Sequence, residues 1–136
     1  MPLAVEHEAT KLLRELNARG HYPLSLVCTE DGLLIASAGE RLRSEMVAVL
    51  TSLFGDIAVR AVRDLGLRQV DEFTLSDPAS GYLVVRPLDP EARPRLFLVV
   101  QVPRDRAWRR NTASAARKLL VLLRPLLGPQ KESHHE

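Results

Sequence analysis

Apolar positions change their period along the chain in a readable order. Val5, Ala9, Leu12, Leu13 and Leu16 recur at helical spacing across residues 4–18, with Gly20 just beyond them as a stop signal. Pro23 bounds PLSLVCT, which reads as a strand. Glu30-Asp31-Gly32 supplies a turn and LLIASA a second strand, so residues 24–38 form a hairpin. From 41 to 65 the period returns to 3.6, with Leu42, Met46, Val49, Leu50, Leu53, Ile57 and Ala61 on one stripe, closed by Gly66. VDEFTLS (70–76), YLVVRPL (82–88) and RLFLVVQV (95–102) are three further strands, separated by the turn-forming DPASG and DPEARP. A third helix is expected from Arg106 to Leu127, ended by Gly128-Pro129.

The order α-β-β-α-β-β-β-α, joined by short loops, predicts an α/β (α+β) domain: a five-stranded antiparallel sheet with helices on both faces. LFLVV is apolar at consecutive positions, as expected of a strand covered on both sides, and belongs at the sheet's centre. VDEFTLS alternates and carries Asp71 and Glu72, which suits an edge. Residues 1–128 are read as a single domain and 129–136 as a polar tail.

The second helix is the most informative element. Its apolar residues cover about half the circumference, more than one sheet face requires. Ser44, Ala48, Ser52, Gly55 and Val59 form a further row of small side chains. Three readings stand: a mild surface face, a face that meets a second copy of the same helix, or burial under another part of the chain. Short side chains permit close helix approach, so the second reading makes Ala48, Ser52, Gly55 and Val59 a dimer contact, which Gly55→Leu is expected to push apart. Charges gather on a narrow strip that includes Glu45, Asp56, Arg60 and Arg63.

Composition narrows the function classes. Nineteen Lys+Arg against seventeen Asp+Glu is too balanced for a nucleic-acid binder by bulk charge. The longest apolar run, Leu119–Leu123, is far short of a membrane span, and the amino terminus lacks a signal-peptide pattern. One cysteine, Cys28, excludes an intrachain disulfide and a multi-cysteine zinc site. A cytoplasmic protein is expected. No phosphate loop, nucleophile elbow or HExxH is present, so no catalytic or metal-ligating residue is assigned and no cofactor is expected. His134 and His135 belong to the tail.

Charge is nevertheless uneven. Residues 104–124 hold seven cations and one acid, with Arg106, Arg110, Arg117 and Arg124 on one side of the expected helix and Trp108 on the apolar side. A solvated face shielding the apolar stripe is the plain reading, followed by an acidic partner or anionic lipid. Nucleic acid is disfavoured, because base-stacking aromatics are missing. Trp108 and Cys28 read as core residues.

LSLVCTEDGLLIASAG resembles the first hairpin of the Roadblock / dynein light chain domain, with its acidic-Gly turn between an apolar and a small-residue strand. The long second helix ending in Asp64-Leu65-Gly66, the strand YLVVRPL after a Gly turn, and RLFLVVQVPRDRAWRR are similar to the same family. The resemblance covers residues 4–127 and lies in the order of elements rather than in one motif. It implies a non-enzymatic homodimer whose third strand pairs with its copy into a ten-stranded sheet, with the two middle helices antiparallel on one face. Mapped here, Val70, Phe73, Thr74 and Leu75 join the small-residue row in the dimer interface. Partners implied are small Ras-like GTPases, met in bacteria by MglB-like regulators, with Glu45, Asp56, Arg60 and Arg63 edging the docking face. Little chain beyond the core at either end sets it apart from MglB. A ligand-sensing profilin/PAS/GAF-like module is the alternative; it needs a pocket with polar groups, for which the strands offer Ser25, Thr29 and Ser37.

Overall fold

The computed structural model describes residues 3–91 and 95–126. The expected tail 129–136 and the Gly128-Pro129 stop lie outside the described residues; the third helix, expected to reach Leu127, ends as an α-helix at Leu123 and passes into a 3-10 turn, where Pro125 has no N–H to continue it. Element order is α1 (Leu3–Gly20), β1 (Leu24–Thr29), β2 (Leu34–Ala38), α2 (Arg41–Leu65), β3 (Phe73–Asp77), β4 (Gly81–Pro87), β5 (Leu96–Val102), α3 (Arg109–Leu123) and a 3-10 turn, Arg124–Leu126. The strands form one sheet in the order β2-β1-β5-β4-β3, every neighbouring pair antiparallel. β5 lies at its centre and β3 at an edge, as the hydrophobic patterns predict.

Alternation along the strands feeds two cores. Val27, Leu98, Val100 and Val102 face α1 and α3, joined by Leu13, Leu16, Leu119 and Leu123. Leu24, Leu26, Phe97 and Val99 face α2, where they meet Val47 and Ala48. β5 supplies both layers and is buried at six of its seven positions.

Element ends depart from the sequence reading for identifiable reasons. β3 begins at Phe73 rather than Val70, because the side chains before it are used elsewhere. Asp71 accepts a hydrogen bond from Gln69 Nε2 at 2.8 Å, and Glu72 accepts from Trp108 Nε1 at 3.2 Å and from Thr74 Oγ1 at 2.8 Å. The third helix begins at Arg109, so Arg106 precedes it instead of continuing its stripe. Trp108 occupies the N-cap position, buried, its ring centroid 4.8 Å from that of Tyr82. At the end of α1 the left-handed position falls to His21 (φ 58°), not Gly20. Gly20 is required for another reason: a Cβ there would collide with the Tyr22 ring. That ring is fixed, its hydroxyl donating to Ala107 O at 2.6 Å and accepting from Asn111 Nδ2 at 3.0 Å.

The β3–β4 turn depends on Asp77 and Gly81. One carboxylate oxygen of Asp77 accepts from the backbone N–H of Ala79 and from both the N–H and hydroxyl of Ser80, at 2.7–3.1 Å. The Ser80 bonds in particular hold its pKa below the usual carboxylate value. Gly81 has φ 103°, and a Cβ on it would run into the carbonyl oxygen of Val102. Gly81→Ala is therefore expected to destabilise the fold by about 2–4 kcal/mol, through a strained φ and a steric clash together. Chemical denaturation of the two proteins measures the difference; equal midpoints would contradict this account of the turn.

Candidate functional site

The two faces of α2 are assigned the other way round from the dimer reading of the sequence. Ser44, Val47, Ala48, Thr51, Gly55 and Ala58 are the buried residues of the helix and lie toward the sheet. A Cβ on Gly55 would stand 3.1 Å from Phe97 Cζ, so the missing side chain serves contact with β5. The buried hydroxyls are satisfied within the helix: Ser44 Oγ donates to Glu40 O and Thr51 Oγ1 to Val47 O, each at 2.8 Å. Ala48 and Gly55 are thus covered by the chain's own sheet and are not open to a second copy. Ser52 and Val59 flank them, lining a cleft of about 260 Å³ toward Glu30 and Asp31 of the first hairpin. Burial under another part of the chain, the third of the sequence readings, holds for Ser44, Ala48 and Gly55 of the row, while Ser52 is half-buried and Val59 exposed.

The large side chains face outward as a consequence. Leu42, Met46, Val49 and Leu53 are each 59–64% exposed, and Ile57 and Leu50 continue the same surface. At 100° per residue these six span an arc of about 100°. Beside them lies an apolar groove of about 460 Å³, walled by Met46, Val47 and Leu50 on one side and Leu75, Tyr82 and Leu83 on the other. It exists because α2 packs mainly over β1 and β2 and leaves the turn end of the β3–β4 hairpin, with Leu75, Tyr82 and Leu83, open on that face. Arg43 crosses one end, donating to Gln101 Oε1 at 2.9 Å.

The other expected interface residues are distributed around this groove. Leu75 is half exposed and lines it. Phe73 is partly buried against Phe54, their centroids 5.9 Å apart, and Thr74 is exposed on the edge strand. Val70 is partly buried outside the strand, in a second cleft of about 280 Å³ with Ala58, Val85 and Phe97. Glu45, Asp56, Arg60 and Arg63 are all exposed on α2. Glu45 pairs with Arg41 at 3.2 Å, Asp56 with Arg60 at 3.3 Å and Arg63 with Asp64 at 2.9 Å. Solvent screens exposed pairs of this kind, so they hold the side chains only weakly and leave them available to a partner.

Two of the three hydroxyls named for a ligand pocket, Ser25 and Thr29, are used structurally, and Ser37 is half-buried on β2. Ser25 Oγ donates to Leu13 O at 3.3 Å, and Thr29 Oγ1 accepts from Leu33 N at 3.1 Å. No group of three or more His, Cys, Asp or Glu side chains is gathered among the described residues. No helix among them is long and apolar enough to cross a membrane.

Neither a protein-family model nor a curated protein matches the sequence. Solved structures do match the fold. An MglB with a tetrameric arrangement superposes with a TM-score of 0.79 at 16% identity, covering 93% of this chain and 96% of the other. Myxococcus xanthus MglB gives 0.78 at 17% identity over the same shares. A Roadblock/LC7 domain from Streptomyces avermitilis gives 0.66 at 17% identity, covering 86% and 95%. The chain has the Roadblock/LC7 fold.

Beneath α2, burial pushes the Cys28 thiol up to about 12 from an ordinary value of 9.0, against a smaller opposing effect of its hydrogen bond with Thr51. Only the thiolate is an effective nucleophile, so native protein is expected to resist iodoacetamide at pH 8 and to react fully once unfolded in guanidinium. Since the unfolded thiol ionises first, Cys28 costs the fold stability as pH rises from 9.0 toward 12. Cys28→Ala should remove that part of the alkaline loss. Rapid stoichiometric labelling of the native protein would show that α2 does not cover the thiol.

Proposed function

We propose that this chain is a non-enzymatic homodimer that regulates or scaffolds a small Ras-like GTPase. The observation that carries the reading is the outward apolar stripe of α2 beside the open turn end of the β3–β4 hairpin. A contiguous apolar surface of this extent marks an interaction site on a soluble protein. The groove beside the helix is walled by a helix and a sheet, and a second α2 fits that geometry. In a two-fold dimer each α2 packs against its copy and over the open turn end of the partner's β3–β4 hairpin. β3, an edge strand with one neighbour, pairs with its own copy and extends the sheet to ten strands.

Leu42, Met46, Val49, Leu50, Leu53 and Ile57 replace Ala48 and Gly55 as the helical contacts of this dimer, with Thr74 and Leu75 on the strand. Glu45, Asp56, Arg60 and Arg63 form a charged rim on α2, and a rim around an apolar centre is the usual anatomy of a docking surface. Two considerations support the GTPase as partner: the family resemblance of the sequence and the shared fold with MglB.

Sedimentation equilibrium at tens of micromolar is expected to return twice the 15.2 kDa chain mass. Leu53→Asp should weaken association about 100-fold, which is about 2.7 kcal/mol, with the helical circular dichroism preserved. Gly55→Leu should act differently: it disturbs packing on Phe97 and lowers stability by about 1–3 kcal/mol. A monomeric wild type would end the dimer reading.

For the partner, Ras-like GTPases of the source organism, loaded with GDP or a GTP analogue, are titrated against the dimer. Arg60→Glu combined with Arg63→Glu is expected to reduce binding at least about tenfold while the dimer mass is unchanged. Binding insensitive to this pair would move the docking face elsewhere.

A further inference from the structure

The opposite face of the molecule carries charge that the dimer and its α2 surface do not use. Arg109, Arg110, Arg117, Lys118 and Arg124 are exposed along α3 and its 3-10 turn, and no acid occurs between residues 109 and 124. Five cations therefore sit on one short segment of a chain whose net charge is only +2. α1 alongside is neutral, with three acids and three bases between Leu3 and Gly20. None of the ion pairs among the described residues involves Arg110, Arg117, Lys118 or Arg124. Arg109 lies over the Trp108 ring, 4.6 Å from its centroid.

These charges point away from the core. At 100° per residue, Arg110, Arg117 and Val121 fall within about 40° of one another and roughly opposite the buried Thr112, Leu119 and Leu123. Val121, one turn beyond Arg117 and before Arg124, is 69% exposed. Arg110 to Arg124 covers roughly 20 Å at 1.5 Å per residue. Arg117 also lines a cleft of about 250 Å³ with Arg86, which extends the cationic surface beyond the helix; Asp71 shares that cleft.

We propose that the outer face of α3 is a docking surface for an anionic lipid membrane. The inference rests on the dimer proposed above for one element, the geometry of two copies. Antiparallel pairing of β3 about a two-fold axis normal to the sheet puts both α2 helices on one side and both α3 helices on the other. The dimer thus lays two cationic strips on one common face, and a plane of negative charge is the complement of that arrangement. Juxtamembrane cations gain attraction individually at an anionic leaflet, and two linked strips bind with an avidity neither has alone. Val121, exposed among arginines, suits the boundary between headgroups and acyl chains. A single-stranded nucleic acid would want exposed aromatics for stacking. On this side Trp108 is buried, with Tyr82 against one part of its ring and Arg109 over it.

Co-sedimentation with vesicles tests it, comparing phosphatidylcholine alone with vesicles containing roughly a third phosphatidylserine. The wild type is expected to bind only the anionic vesicles, and to release as salt is raised. Arg110→Gln, Arg117→Gln and Arg124→Gln together should lower the partition at least tenfold, with dimer mass and melting temperature unchanged. Leu53→Asp, studied at a concentration where the weakened dimer has dissociated, should bind the same vesicles more weakly and still lose binding when the three arginines are replaced. Equal binding to both vesicle types, or a triple variant that binds like the wild type, overturns the proposal, as does binding to soluble polyglutamate without binding to vesicles. If the wild type proves monomeric yet binds through the three arginines, the dimer has failed and the membrane surface stands.

Discussion

The contact between Gly55 and Phe97 sets the arrangement of the α2 side of the molecule. A helix rests close to a sheet only where its side chains are short, and α2 presents Ser44, Ala48, Thr51, Gly55 and Ala58 to strands that carry Leu24, Leu26, Phe97 and Val99. The bulk of that layer comes from the sheet. Leucines elsewhere on the helix then have no place inside and must stand outward. An amphipathic helix in a monomer normally does the reverse. Inverted amphipathicity in α2 is thus one physical fact with two results: a tight inner layer and an apolar outer surface.

This is also where the sequence was hardest to read. Element order, the central place of β5 and the edge position of β3 all follow from local hydrophobic period and turn residues, and those signals do not depend on distant contacts. The direction in which α2 faces does depend on them. A row of small residues at helical spacing fits a second helix and a sheet of large side chains equally well, because both demand close approach. The sizes of the strand residues held the missing signal, since the inner layer needs small residues from one side once Phe97 and the leucines occupy the other. The starts of β3 and α3 were similarly hidden: Glu72 and Trp108, 36 positions apart, meet through a hydrogen bond that no local pattern encodes.

The sheet keeps the two surfaces from interfering. One face holds the apolar stripe of α2, and the other holds α1 and the cation-bearing α3. β5 belongs to both cores, with Phe97 and Val99 on the α2 side and Leu98 and Val100 on the other. Substitutions on α2's outer stripe and on α3's outer strip touch neither core, which keeps association and charge separable by mutation.

The pairing of β1 with β5 has a further meaning for how the chain reaches this state. Leu24 sits opposite Gln101 and Thr29 opposite Leu96, so the middle of the sheet joins segments separated by on the order of seventy residues. The β1–β2 hairpin and the β3–β4–β5 meander are local, and each can form early. Neither has a complete hydrophobic layer until they meet, because β5 supplies the wall on which α1, α2 and α3 all depend. During synthesis that wall emerges from the ribosome late, after α1 and α2 have been made. Until then α2 exposes both its inner small-residue row and its outer leucines, and docking of β5 is the event that commits one face inward.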